Sequence, residues 1–545
     1  MPQVLHIHPN DDLAVALKPL AAGEVLSAPF ADLQTIDAIP QKQKLLLRTI
    51  AAGEMITMYG VPVGEALRTL KRGELLQKND IRHASASFST NAKKSYQWYP
   101  PATGHFAQAT FNGYPRNDGK AGTRNYWLVL PLVFCENQNV DTLKGAFEKA
   151  LGYATESSAE QRVKQLLQHQ LSGGSPEDFV FAPAQTTAAQ RPFARVDGIR
   201  FLTHNGGCGG SREDARTLCK LLAGYINHPN VGGATVLSLG CQNATITWLK
   251  EALHDIAPDF DKPLVVLEQQ QAGSNEALLQ QAIDQTFWGL ATINKTERSA
   301  QPISKLVLGL KCGGSDGFSG ISANPALGHA SDLLVACGGS SILAEFPELC
   351  GVEQSLIDRC ATKELAAKFE SLMRDYAALS EQFGNPFHMN PSEGNIRDGL
   401  LTDAMKSAGA ARKGGSASVS GVLNYAEQIS TPGLQLLCTP GNDVEATTGI
   451  AGSGATVTVF TTGLGTPTGN PVSPMVKIST NTELFHRMPD VIDFDCGAII
   501  AGTQTIEQCG SALLEQIIRT ASGEETRAEH LQQNDFIPWR KSISV

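Results

Sequence analysis

The sequence lacks the features that would tie it to a membrane, a nucleic acid or a nucleotide. No stretch approaches the ~18 consecutive apolar residues that a spanning helix requires. Lysine and arginine form no run, and the net charge is -10, so no polyanionic partner is expected. The glycine-rich turns match neither a P-loop nor the G-x-G-x-x-G dinucleotide fingerprint. Aromatic residues are sparse, at 6%. There is no C-x-x-C pair among the 11 cysteines, and Met1 to Leu20 has no basic stretch leading into an apolar one. An odd number of thiols without an export signal predicts reduced cysteines and a cytoplasmic location.

What the sequence has in quantity is glycine, 52 residues of it. Residues 1–85 read as a small β domain, with short strands at Gln3–His8, Leu13–Leu17, Leu45–Arg48 and Met55–Tyr59. A Gly-Glu signal recurs at Gly23-Glu24, Gly53-Glu54 and Gly73-Glu74, which predicts hairpins built on glycine turns. Residues 86–112 show no period and read as a connector that Tyr96, Trp98 and Tyr99 could pin to a neighbour.

From there on, apolar strands alternate with glycine turns and helices, the pattern of parallel α/β layers. Strands are expected at Leu128–Phe134, Ile199–His204, Ala234–Leu239 and Leu264–Glu268, then at Lys305–Leu310, Ile342–Phe346, Leu434–Cys438 and Thr456–Phe460. The polar stretch Lys295–Ser304 divides this region into two α/β units, residues 113–300 and 301–545.

Ligands of open α/β sheets bind beyond the carboxyl ends of the strands, and unusual residues gather there. Cys-Gly-Gly-Ser occurs at Cys208–Ser211, Cys312–Ser315 and Cys337–Ser340, the first two after expected strands. Consecutive glycines let backbone N–H groups converge on an anion, and thiols can ligate a metal. The plain alternative is a set of tight turns with small buried cysteines. His204, Asn205, Arg212, Glu213 and Asp214 flank the first turn; Lys311, Asp316, Ser319 and Asn324 flank the second. Two further polar turns, Thr439–Asp443 and Thr461–Asn470, suit a polyhydroxylated anion. In the β domain, His6 and His8 share one strand face beside Asp11 and Asp12, a set able to hold a divalent metal or simply to end a solvated strand.

Taken together, these residues resemble the altronate and galactarate dehydratase family along almost the whole chain. The resemblance is carried by Gly113–Gly119, Gly122–Tyr126, Gly206–Gly210, Leu239–Asn243, Lys311–Gly320, Glu345–Glu348, Pro440–Asp443 and Thr461–Asn470. Chain length and the C-terminal Asp535–Trp539 look closer to the altronate branch. The resemblance implies an N-terminal β-clip (SAF-type) domain followed by two Rossmann-like α/β units. It also implies a divalent metal, usually Fe²⁺ with Mn²⁺ as the alternative. The implied reaction turns D-altronate into 2-dehydro-3-deoxy-D-gluconate and water, within hexuronate catabolism. One departure stands out: the family's His-Lys pair in the β domain is Gln43-Lys44 here, and Asp12 replaces an asparagine.

Such a reaction needs a base for the C2 proton, an acid for the departing C3 hydroxyl, and positive charge for the intermediate. The expected assignments are His204, Lys311 and Asp443 for catalysis. Arg124, Asn125, Arg212, Asn442, Thr462 and Asn470 are expected to bind the sugar acid, and His8, Asp11, Asp12, Cys208 and Cys312 the metal. A homodimer is the expected assembly. The other readings are a galactarate or related sugar-acid dehydratase, a non-catalytic sugar-acid sensor and an NAD-dependent oxidoreductase.

Overall fold

The computed structural model describes residues 2–153, 157–183 and 191–542. Its β domain carries two small antiparallel sheets, one of Val4–Leu5, Leu13–Ala16 and Lys44–Leu46, the other of Met55–Met58, Val61–Ala66 and Ile81–Arg82. The recurring Gly-Glu signal is one turn used three times. Gly23, Gly53 and Gly73 have φ of 76°, 81° and 85°, a region open to glycine at little cost. Each following glutamate then accepts from the backbone N–H three residues earlier, at 2.8–3.0 Å. These turns close isolated bridges, Leu20 with Ile39 and Ile50 with Leu70, rather than two-strand hairpins.

The connector is held by two of the three expected aromatics: Tyr96 donates to the Ser416 carbonyl at 2.5 Å and Trp98 to the Ser416 hydroxyl at 3.2 Å, while Tyr99 is exposed. Across the expected division, Ser299–Pro302 pairs antiparallel with Thr110–Pro115, so a small antiparallel ribbon ties the entry and exit of the first α/β unit together.

That unit is a four-stranded parallel sheet in the order Gly198–Phe201, Tyr126–Pro131, Val231–Ser238, Leu264–Glu268. The second is a seven-stranded parallel sheet in the order Val419–Leu423, Gly433–Leu437, Ser340–Ala344, Val307–Cys312, Val457–Thr462, Met475–Ser479, Phe494–Asp495. Strands buried on both faces read as continuous apolar runs, and the neighbours Ile342 and Leu343 accordingly enter different cores. Leu343 packs with Ala326, Leu327 and Leu514 from helices Ala323–Ala336 and Ile506–Ala521. Ile342 packs with Ile450 from helix Asp443–Gly452. This last helix also forms the junction between the units, where Tyr225 donates to the Thr448 carbonyl at 3.1 Å. A Cβ on Gly224 would lie 2.2 Å from the Gly452 carbonyl oxygen. Among the described residues, no helix is long and apolar enough to cross a membrane.

In the second sheet the chain runs outward from Val307–Cys312 to one side, then returns to its other side with Val457–Thr462. The crevice between these two strands is a topological switch point, open at the carboxyl ends of both.

Candidate active site

Lys311 and Cys312 end the strand on one side of that crevice, and both are buried. The Lys311 ammonium donates to Glu345 at 2.6 Å and to Asp443 at 2.7 Å. Glu345 follows the adjacent strand in a left-handed conformation, φ 68°, which costs a non-glycine residue roughly 1–3 kcal/mol and persists only where neighbours enforce it. It then caps a 3₁₀ turn, Phe346–Leu349. Residues three apart on such a turn eclipse, so Glu345 and Glu348 turn the same way, toward Cys312. The Cys312 thiol donates to Glu348 at 3.2 Å, and the Lys413 ammonium donates to the Cys312 sulfur at 3.1 Å. Lys406 pairs with the other Glu348 oxygen at 2.9 Å. Lys406 lies on helix Asp403–Ala411 and Lys413 on the 3₁₀ turn after it, seven residues apart and so on one face.

The charges set one another. Burial pushes the Lys311 ammonium down, but Glu345 and Asp443 override it and hold the group firmly charged. Burial and the neighbouring Glu348 push the Glu345 carboxyl up. Burial alone would raise Glu348 too, yet Lys406 and Lys413 hold it well below the carboxylate range. Burial, reinforced by Glu348, pushes the Cys312 thiol up to about 11. Among the described residues, Cys312, Glu345 and Glu348 are the one group of three whose donor atoms lie within 4.8 Å of one another, close enough to hold a metal ion. One Glu345 oxygen is buried with no hydrogen-bond partner. A thiol, two carboxylates and an orphaned oxygen fit a divalent cation of intermediate softness. A cavity of about 380 Å³ opens beside this group, lined by Pro347, Asn390, Lys406, Gly441 and Asn442.

Asn442 caps the Asp443 helix, accepting from Val444 at 3.1 Å and Glu445 at 3.2 Å, and so fixes the start of the helix that carries Asp443. Gly313 leaves room for that carboxylate: a Cβ there would lie 2.5 Å from both Asp443 oxygens. Gly313→Ala is expected to displace Asp443 from Lys311 and to cost most of the activity while the fold survives, checked by turnover beside a circular dichroism melt.

The β domain docks on the loop that follows Cys312. Lys42 pairs with the buried Asp316 at 2.9 Å. Lys44 donates to the carbonyls of Gly399 and Lys42, and burial pushes its ammonium down to about 7. Gln43, the residue in the family's histidine position, donates to the Arg397 carbonyl at 2.8 Å and takes no part in the Cys312 group.

Several expected site residues have other tasks. All five N–H donors of Arg124 are engaged, with Glu529 through two bonds and with the carbonyls of Thr123, Thr520 and Glu524, leaving none for a substrate. Asn125 donates to the Arg195 and Ile293 carbonyls and accepts from Arg116. Asn470 bonds Tyr225 and the N–H groups of Val472 and Ser473. Thr462 accepts from Gly465 and Thr466. His204 is buried, with one ring nitrogen on the Pro131 carbonyl and the other accepting from Gly206, and burial pushes its imidazolium down. Asp11 accepts from the N–H groups of His8, Tyr59 and Gly60. Asp12 takes Arg48 and the Thr57 N–H. Both aspartates are therefore occupied as turn and strand anchors, not as metal ligands. His8 lines a separate cavity with Tyr59, Leu356 and Arg359. Cys208 is exposed in the first α/β unit, and Arg212 contacts Asn243 nearby.

Lys311, Asp443, Asn442 and Cys312 are thus brought together, and Glu345, Glu348, Lys406 and Lys413 complete their surroundings. The glutamates belong to a quoted motif, but only the 3₁₀ turn aims them at Cys312. The two lysines have no sequence signal, since they arrive from a helix and the 3₁₀ turn after it, some hundred residues beyond Cys312.

A buried lysine–carboxylate–thiol group at the switch point of a parallel sheet defines an α/β enzyme acting on a small polar molecule. Its family follows from the comparisons. Residues 2–84 match the altronate/galactarate dehydratase SAF domain, residues 113–294 the D-galactarate dehydratase/altronate hydrolase second domain, and residues 303–544 the D-galactarate/altronate dehydratase C-terminal domain. The chain is 34% identical to an altronate dehydratase of Bacillus subtilis over 98% of each protein. It is 32% identical to an altronate dehydratase of Escherichia coli, over 98% of this chain and 97% of that one. It is 30% identical to a galactarate dehydratase (L-threo-forming) of E. coli, over 96% of this chain and 93% of that one. The chain belongs to the altronate/galactarate dehydratase family, and it is a lyase.

Proposed function

We propose that this enzyme dehydrates D-altronate to 2-dehydro-3-deoxy-D-gluconate at the Lys311 site. The observation that carries the reading is Lys311, at the carboxyl end of the switch strand, held between Glu345 and Asp443, with a polar cavity beside the group that Lys406 and Asn442 line. Lys406, which pairs with Glu348 and also faces the cavity, holds the substrate carboxylate. Asp443 is the partly exposed carboxylate of the group and takes the C2 proton. The Lys311 ammonium carries the charge that develops on the enediolate and gives a proton to the departing C3 hydroxyl. Water leaves, and the resulting enol becomes the 2-keto acid.

Cys312, Glu345 and Glu348 would hold a divalent metal, Fe²⁺ in preference to Mn²⁺ because a thiolate is among the donors. Such an ion, when bound, supplies Lewis-acid stabilisation of the carboxylate and hydroxyl oxygens. All 11 cysteines are free thiols, which supports a reducing, cytosolic setting.

The test is formation of 2-keto acid from altronate, galactarate and other sugar acids, with Fe²⁺ supplied and then removed by a chelator. Altronate is expected to give the highest kcat/KM, and Cys312→Ser is expected to lower both metal content and turnover. Full activity in Cys312→Ser, or a clear preference for galactarate, would overturn the reading.

A further inference from the structure

The first α/β unit has a switch point of its own, and no part of the proposed dehydration uses it. The central strand Tyr126–Pro131 is flanked by Gly198–Phe201, which comes next in the chain, and by Val231–Ser238, which comes after that. The three strands are parallel, so their carboxyl ends open on one side. Each is followed by a turn bearing a cysteine: Cys135, Cys208 and Cys241, in that order along the chain. These are the three cysteines of the chain that are exposed, while the remaining eight are buried or half-buried.

The turns are fastened to one another. Phe134 N–H donates to the Gly206 carbonyl at 3.1 Å, and the N–H groups of Asn243 and Ala244 donate to the Gly207 carbonyl at 2.9 and 3.0 Å. Gly207, at φ 97°, lies so close to the first turn that a Cβ would sit 2.1 Å from the Leu132 carbonyl oxygen. The backbone therefore gathers the segments bearing Cys135, Cys208 and Cys241 around one crevice. Helices Asn137–Ala150, Arg212–Asn227 and Ile246–Ile256 start just beyond these turns, and their N-terminal ends favour thiolate over thiol. A cavity of about 600 Å³ opens on Cys208, lined also by Phe134, Asn137, Asn205 and Arg540.

We infer that Cys135, Cys208 and Cys241 hold an iron–sulfur cluster, each thiol losing its proton on binding one iron. A single tetrahedral ion, about 2.3 Å from each sulfur, would need its donors drawn together as those of the Cys312 group are. Among the described residues, no second group of three donors lies that close. A cluster spreads its attachment points over several irons, as three separate turns around a crevice do. Three thiolates leave one iron of a four-iron cluster without a cysteine, facing the cavity and open to an oxygen ligand such as a hydroxy acid. This inference rests on the turns alone and stands apart from the assignment of Lys311 and Cys312.

The test is anaerobic reconstitution of the full chain with Fe²⁺ and inorganic sulfide, followed by visible absorption, electron paramagnetic resonance and counts of iron and acid-labile sulfide. The wild type is expected to take up about four irons and four sulfides beyond the metal of the Cys312 group. Cys135→Ser, Cys208→Ser and Cys241→Ser are each expected to lose the chromophore and the sulfide with an unchanged far-ultraviolet circular dichroism spectrum. Cys312→Ser is expected to keep both, which separates this inference from the proposed function. A wild type that binds no labile sulfide, one that binds a lone iron or zinc at these thiols, or a triple variant that keeps the cluster would overturn it.

Discussion

Lys311→Met is expected to lower kcat/KM by about 10²–10⁴-fold, the range for losing a positioned acid–base group. Methionine keeps most of the length and volume of the side chain, ending one atom short of the ammonium, so packing changes little. What disappears is the ammonium that bridges Glu345 and Asp443. Removing one partner of a buried ion pair leaves an uncompensated charge, at a cost of about 3–5 kcal/mol. Glu345, wholly buried, would relieve that charge by taking up a proton. The double variant Lys311→Met/Glu345→Gln should therefore regain much of the stability in urea and none of the activity. Equal recovery of both would mean that Lys311 serves the fold alone. Turnover near wild type in the single variant would remove it from the reaction.

Arg124→Met is expected to show the opposite split: a large loss of stability and an unchanged kcat per folded molecule. Arg124 and Glu529 are joined by two bonds, at 2.8 and 2.9 Å, that pin the C-terminal segment across both α/β units. Breaking this buried pair should cost about 3–5 kcal/mol, read from the urea midpoint at pH 7. The pair also predicts a pH dependence. Burial would raise the Glu529 carboxyl, but Arg124 overrides it and holds it down to about 2. A carboxyl with a depressed folded-state pKa contributes stability that is fully present above its unfolded value, near 4.3. That contribution, about 3 kcal/mol, is lost as pH falls from there toward 2. Arg124→Met should flatten this part of the acid-unfolding curve. A variant that stayed stable but lost affinity for altronate would restore Arg124 to the substrate.

The sequence was legible where local physics is decisive. Leu264–Glu268 falls where the apolar pattern puts it, because even this half-buried edge strand is a short continuous apolar run. The strands Val419–Leu423 and Met475–Ser479 were not distinguishable. Val419–Leu423 interleaves serine and glycine, and Met475–Ser479 carries a buried lysine, so neither shows an unbroken apolar run.

Motif identity was a weaker guide than motif placement. Cys-Gly-Gly-Ser ends at a helix cap in Ser211, follows directly from a strand at Cys312, and joins a helix to a strand at Cys337–Ser340. The third copy lies at the opposite end of the sheet from the active site. His204, Arg124 and Asn470 carry the right chemistry beside the right turns, but each is consumed by backbone and interdomain bonds that leave no trace in one dimension.

The sequence by itself determined the alternation of strands and helices, the recurring Gly-Glu turn and the dehydratase resemblance, because periods, glycine turns and ordered motifs are local properties. Only the tertiary structure decided which charges meet. Lys311, Glu345, Glu348, Lys406, Lys413 and Asp443 are spread from residue 311 to 443, and the switch between neighbouring strands brings them around one thiol. A buried charge is tolerated only beside its partner, and partners that distant in sequence are selected by the order of the strands.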